Sequence, residues 1–246
     1  VEQLVKNIQN EKSKFQRIAR AMSKNWNICV VPSGTRCQTD GKSRISFPFN
    51  ADFLSEASQQ VLHGLLDHEV AHVSEENEHV KMGIATPIEI MGFCRTKKEK
   101  LLLNVFEDIR IECKYSDIYK GVSENINAAN LYTVNLLKSK IKSGKSKNDF
   151  WSLLGSAIIT LSRGYDTTWL PVSYEPFVDV IKEEISESAM TSCVSDSLDL
   201  ARRVIEKISD VSNEIEEEKR KRDGDGEESD GDGEESDGDG DGDESD

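Results

Sequence analysis

The sequence lacks a disulfide framework, a membrane span and a basic surface, and each absence removes a class of function. Its five cysteines, Cys29, Cys37, Cys94, Cys113 and Cys193, are odd in number and contain no C-x-x-C pair. That fits free thiols in a reducing compartment rather than a cross-linked secreted scaffold. No apolar run approaches the ~20 residues a membrane helix needs, and no signal peptide opens the chain. A cytoplasmic protein without a membrane role is the expectation (host cytoplasm if phage-encoded). The start at Val1 and the stop inside a repeat fit a processed product or a fragment of a longer chain.

Base is also scarce where it would matter. The 246 residues carry 31 Lys+Arg against 46 Asp+Glu, a net charge of −15. Fourteen of those acids lie between Asp223 and Asp246, which holds no base, so 32 acids face 31 bases in the remainder. A near-neutral body with an acidic end argues against nucleic acid as a partner, since phosphate binding needs a basic face. The end itself repeats Asp-Gly-Asp-Gly-Glu-Glu-Ser from Asp223. Having nothing apolar to bury, it reads as a disordered linker or tail over 223–246. An EF-hand fails there, because Glu228 stands where the loop needs glycine. Gly144-Lys145-Ser146 is a polar turn and not a P-loop, since the upstream glycine is absent.

What the chain does have is Asp67-His68-Glu69-Val70-Ala71-His72, an H-E-x-x-H word within a helical pattern. A helix turns about 100° per residue, so His68 and His72 share a face and can share one metal ion. Glu69 stands beside them as candidate general base, and Zn2+ is the expected cofactor. The helix should run from about Ser55 to Glu76. On it the two histidines and Glu69 fall in the same arc as Val61, Leu62 and Leu65, while Asp67 and Ser74 point the other way. Gly64, one turn earlier, would leave room beside the metal. His79 comes one place too late for a metzincin third ligand and reads as a surface residue in a Glu-rich turn.

Around this word the elements read in order. An amphipathic helix spans about Glu2 to Lys24. Two or three strands follow between Trp26 and Phe49, with a hairpin at Asp40-Gly41. Residues 81–97 read as a loop, and a helix runs from about Lys98 to Tyr115. Further helices cover Ser123 to Ile141, Phe150 to Leu161, Phe177 to Ile185 and Ser195 to about Arg222. The helix after the H-E-x-x-H helix, Lys98 to Tyr115, is apolar on most sides yet carries Asn104, Glu107, Asp108, Arg110 and Glu112, and buried charge needs partners or a metal.

Gluzincin-type enzymes take a glutamate from such a following helix as third ligand, and an acid one turn on orients a histidine. Glu107 has the usual identity and the longer reach. Asp108 is the alternative, because Glu112 follows it by one turn. Asn104, Asp108, Arg110 and Glu112 are then the supporting residues. Arg110, Tyr115 and Tyr119 are candidates to stabilise an oxyanion.

Three words in order, Thr39-Asp40-Gly41-Lys42, Asp67 to His72, and Leu102-Leu103-Asn104-Val105-Phe106-Glu107-Asp108-Ile109-Arg110-Ile111-Glu112, resemble the amino-terminal domain of CobT-like proteins. These are cobaltochelatase-type subunits and metallopeptidase-like relatives, and the resemblance covers roughly residues 25–165. It implies an α+β, zincin-like fold, with a small antiparallel sheet packed on a metal-binding helix and a mainly helical subdomain after it. The domain would span 1–222, with the metal-site core at 25–120 and the helical part at 121–222. The resemblance also implies an AAA+ ATPase partner and a carboxy-terminal VWA domain, whose Asp-x-Ser-x-Ser motif is absent from this sequence. Two functions follow. One is a zinc metallopeptidase acting on a peptide or protein substrate, and the other is a non-catalytic subunit of a chelatase-type complex.

Overall fold

Helix α1 (Glu2–Ser23) leads into strand β1 (Cys29–Pro32), then β2 (Gln38–Thr39) and β3 (Arg44–Phe47). The computed structural model describes residues 2–32, 36–49, 57–143 and 149–224. The Gly144-Lys145-Ser146 turn and residues 225–246 of the acidic repeat lie outside the described residues. The fold is α+β and mostly helical, and no helix among the described residues is long and apolar enough to cross a membrane.

The sheet is mixed, which corrects the antiparallel expectation. Its order is β1-β3-β2: β2 pairs antiparallel with β3, while β1 lies parallel along the other edge of β3. The hairpin explains why. The Asp40 carboxylate accepts the backbone N–H groups of Lys42, Ser43 and Arg44, at 2.8, 2.8 and 2.9 Å, and Gly41 takes φ +73°. This turn claims one edge of β3 for β2 and leaves the other to β1. The outer edge of β1 is covered by α1, where Gln16 accepts from Val30 N–H at 2.8 Å and Arg20 donates to Ile28 C=O at 3.0 Å. Among the described residues, the outer edge of β2 pairs with no other strand.

Helix α2 (Gln59–Met82) starts at Ser58, whose hydroxyl accepts from Val61 N–H. It runs past the predicted stop at Glu76 to Gly83, at φ +66°, where the Gly83 and Ile84 N–H groups close on Val80 and His79 C=O. The predicted loop 81–97 contains a short helix, α3 (Pro87–Met91). It is held by a reciprocal cap between Thr86 and Glu89, with Pro87 in the first turn. Helix α4 (Lys97–Ile118) opens on Thr96, which accepts from Glu99 N–H at 3.1 Å.

Helices α5 (Val122–Lys142) and α6 (Phe150–Ser162) follow. The predicted helix at 177–185 is two, α7 (Glu175–Val180) and α8 (Lys182–Ser188), and α9 spans Val194–Gly224. By internal contacts the chain divides into a main compact unit, Val1–Ile208, and a second unit that starts within α9. The second unit begins at Ser209 and is helical over its described residues, to 224.

Two apolar cores flank the centre of the main unit. One joins α1, the sheet and α2 through Phe15, Ile28, Ile45, Phe47, Leu62, Leu66 and Val70. The other joins α4, α6, α7, α8 and α9 through Leu102, Phe106, Ile109, Leu154, Ile158, Ile181 and Val204. Each fully buried side chain of this size stabilises the fold by roughly 1.5–3 kcal/mol. Between the cores, α2 and α4 face one another, and α5 packs across α2. Gly64 belongs to that packing and not to the metal site. A Cβ there would stand 2.0 Å from Asn125 C=O and 2.9 Å from the Ala129 methyl.

Candidate metal centre

The open side of the α2–α4 seam is a cleft of about 620 Å³, bounded by β2 and the hairpin, by α3, and by the facing turns of α2 and α4. His68, Glu69 and His72 enter it from α2, and Asn104, Glu107 and Asp108 from α4. His68 and His72 sit one turn apart with rings edge to face, centroids 4.8 Å apart.

The carboxylate that joins the histidines is that of Asp108. His72 Nε2 stands 3.1 Å from Asp108 Oδ1 and 3.3 Å from His68 Nε2, and His68 Nε2 stands 3.7 Å from the same Oδ1. These three residues could hold one metal ion. A tetrahedral zinc with bonds of ~2.0–2.1 Å has ligand–ligand edges of roughly 3.4 Å. The triangle of two imidazole nitrogens and one carboxylate oxygen therefore matches zinc in both size and donor type, and its open face looks into the cleft.

Glu107, the preferred third ligand on residue identity, is engaged elsewhere. Its two oxygens accept from Arg110 Nε at 3.0 Å and from the guanidinium NH2 at 2.5 Å, and Ser197 of α9 adds a bond at 3.3 Å. Arg110 also donates to Glu75 of α2 at 2.6 Å, and Lys114 reaches Glu75 at 2.8 Å. Arg110 is 3% exposed, so its charge needs these carboxylates, and it is withdrawn from the site it was expected to support. His79 is buried in the same network, bonded to Glu75 at 3.1 Å and to Ala85 C=O at 2.7 Å, and is not the surface residue its position suggested. Asp67 and Ser74 are buried too, through bonds to Asn125 and to Val70 C=O, because α5 and α4 cover the far side of α2.

The other supporting residues fall beside the triangle. Asn104 donates to Asp108 Oδ2 at 3.1 Å, which leaves Oδ1 facing the histidines. Glu112 Oε1 accepts from His68 Nδ1 at 2.8 Å. An ionised carboxylate only accepts, so this contact keeps a proton on Nδ1 and leaves Nε2 as the nitrogen from which a metal would displace any second proton. Burial works against charge on His68, but Asp108, Glu112 and Glu69 outweigh it and push its pKa up to about 10. Burial also works against charge on Glu112, yet its bond to His68 and the Arg163 guanidinium bring it down to about 2.

Glu69 is 7% exposed, and burial raises its pKa above the usual carboxylate range. The two imidazoles and the Thr39 backbone N–H oppose the rise, while Asp108 adds to it. Cys37 packs on the other side of Glu69, and burial together with that carboxylate drives its thiol pKa well up. The tyrosines proposed for an oxyanion are turned away: Tyr119 donates to Met22 C=O at 2.8 Å, and Tyr115 is buried against α2 beside Ser74.

Sequence reasoning missed Asn130 and Arg163. Both donate to Glu112 Oε2, Asn130 from α5 at 3.2 Å and Arg163 from the end of α6. Arg163-Gly164 reads as a helix stop, and nothing local in the sequence points it at residue 112. No protein family, curated protein or solved structure matches this chain.

Proposed function

We propose that the chain is a zinc-dependent, zincin-like metallopeptidase with zinc on His68 Nε2, His72 Nε2 and Asp108 Oδ1. The reading rests above all on the triangle of donor atoms, 3.1–3.7 Å on a side, open to a cleft that also holds the buried Glu69 carboxylate. Zinc in such a site supplies a Lewis acid that polarises a carbonyl and makes water a nucleophile near neutral pH. Glu69 is the general base: it removes a proton from the attacking water and returns it to the leaving nitrogen. Its raised pKa suits both halves of that cycle. Asn104 and Glu112 hold Asp108 and His68 in register.

A peptide is the substrate class the cleft suits best. Strand β2 lines it with Gln38 and Thr39 and, among the described residues, pairs with β3 alone, so an extended chain can lie along its outer side. The purified chain should carry one zinc per molecule by elemental analysis and cleave a broad peptide mixture. Glu69→Gln should keep the zinc and lose hydrolysis by at least ~10²–10⁴-fold. Wild type without stoichiometric zinc, or Glu69→Gln as active as wild type, would remove this reading. Zinc without hydrolysis in either protein would favour the alternative, a CobT-like scaffold that works with an AAA+ ATPase.

A further inference from the structure

We infer that Arg163, at the end of α6, is a positioning residue for the metal centre, holding Glu112 so that Glu112 in turn fixes the tautomer and aim of His68. The inference rests on the zinc reading above and deepens it, because it makes the helical part of the chain a component of the site.

The geometry is a chain of contacts with a direction. Glu112 on α4 offers two oxygens. One, Oε1, accepts His68 Nδ1 from α2 at 2.8 Å. The other, Oε2, is shared by Arg163 and by Asn130 Nδ2 at 3.2 Å. Three separate segments, from α2, α5 and α6, therefore converge on one carboxylate of α4, that of Glu112, which is 6% exposed. Without donors on Oε2, the carboxylate could rotate about its last bond and present either oxygen, or neither, to the imidazole. The guanidinium ends that freedom: it is charged at every accessible pH and bonds in a fixed plane. It also offsets the cost of burying the Glu112 charge next to Asp108.

Placement supports the direction. The Arg163 side chain is 14% exposed, and Glu112 is the charged partner it reaches. Its backbone follows α6, whose Leu154, Ala157 and Ile158 are seated in the core with Leu102, Phe106 and Ile109 of α4. The guanidinium is thus delivered by a helix anchored on the same α4 that carries Asp108 and Glu112. A salt bridge that served only to join two helices would have no need of the carboxylate whose other oxygen holds a histidine.

Zinc affinity separates the two roles. The full chain, stripped of metal, is titrated with zinc against a chromophoric chelator as wild type, Arg163→Met, Arg163→Lys, Glu112→Gln and the Arg163→Met/Glu112→Gln double variant. Arg163→Met keeps most of the buried stem and should weaken zinc ~10–100-fold, as loss of a supporting hydrogen bond does elsewhere. Arg163→Lys, with the charge but not the planar fork, should recover part of that loss. The double variant should bind no more weakly than Glu112→Gln alone, because Arg163 acts through Glu112. Urea unfolding of the metal-free variants shows whether each is folded. If Arg163→Met does not fold, Arg163→Lys carries the test by a loss smaller than that of Glu112→Gln. Wild-type affinity in a folded Arg163→Met, or losses that multiply in the double variant, would overturn the inference while leaving the zinc site standing. Absence of zinc binding in wild type would remove both.

Discussion

Two neighbouring acids on one helix, Glu107 and Asp108, have opposite fates, and the difference is a matter of about 100° of helix rotation. Asp108 turns to the histidines, and Glu107 turns inward to Arg110 and Ser197. Glu107→Ala should therefore cost about 3–5 kcal/mol in urea unfolding, because it leaves a buried guanidinium short of a partner. It should spare zinc binding in the folded fraction. Asp108→Ala should abolish stoichiometric zinc in the same titration. The shared face of His68 and His72, with Glu69 in the same cleft, was legible from spacing alone, because i and i+4 fix a shared face whatever packs around it. The choice between residues 107 and 108 was not, because it depends on where Arg110 finds its partners, and Glu75 lies far away in sequence. Residue identity favoured Glu107, and burial of Arg110 outweighs it.

The elements show the same division between local and remote causes. Caps and turns were readable. Asp40-Gly41 makes the hairpin, and Thr86-Pro87 with Glu89 carries a capping signal that the loop reading of 81–97 passed over. The end of α2 was set too early, because a run of glutamates looks like a solvated turn. Glu75 and Glu78 are instead taken up by Arg110 and Lys114, and Glu76 accepts from Ile88 N–H at 3.1 Å. Gly64 likewise has a remote cause, the close crossing of α5. Gly64→Ala should destabilise the fold by about 1–3 kcal/mol in thermal or urea unfolding, since the new methyl must push Asn125 and the α5 backbone away. The variant should bind zinc once folded, because its Cβ points to α5 and not into the cleft.

For the whole molecule, the coarse class was legible and the sheet topology was not. Helical periodicity and a few short β-branched runs are enough for α+β. Which edge of β3 receives β1 is decided by the hairpin and by α1 covering β1, neither of which leaves a periodic trace. One core holds α2 and the other holds α4, the two helices that carry the donor triangle. A ligand that binds only the folded state stabilises it by RT ln(1 + [L]/Kd), about 2.7 kcal/mol at a hundredfold excess over Kd. Calorimetry should accordingly show a single transition of the main unit that moves up with free zinc and returns with a chelator. In Asp108→Ala the transition should not respond to zinc.

The paired fates of the acids on α4 also set the formal charge of each cluster. The buried Glu75 and Glu107 face Arg110 and Lys114, and those four sum to zero, with Glu78, the other partner of Lys114, exposed at the surface. At the cleft, Glu69, Asp108 and Glu112 with Arg163 and two imidazoles, taken as neutral in the form that would hold a metal, sum to −2. A divalent cation brings the second cluster to the neutrality the first already has. Had Glu107 been drawn to the metal, both clusters would have been left charged in the interior. The same chain thus holds a self-neutralised network and, beside it, a cluster that a divalent cation would neutralise as it displaces the His68 proton.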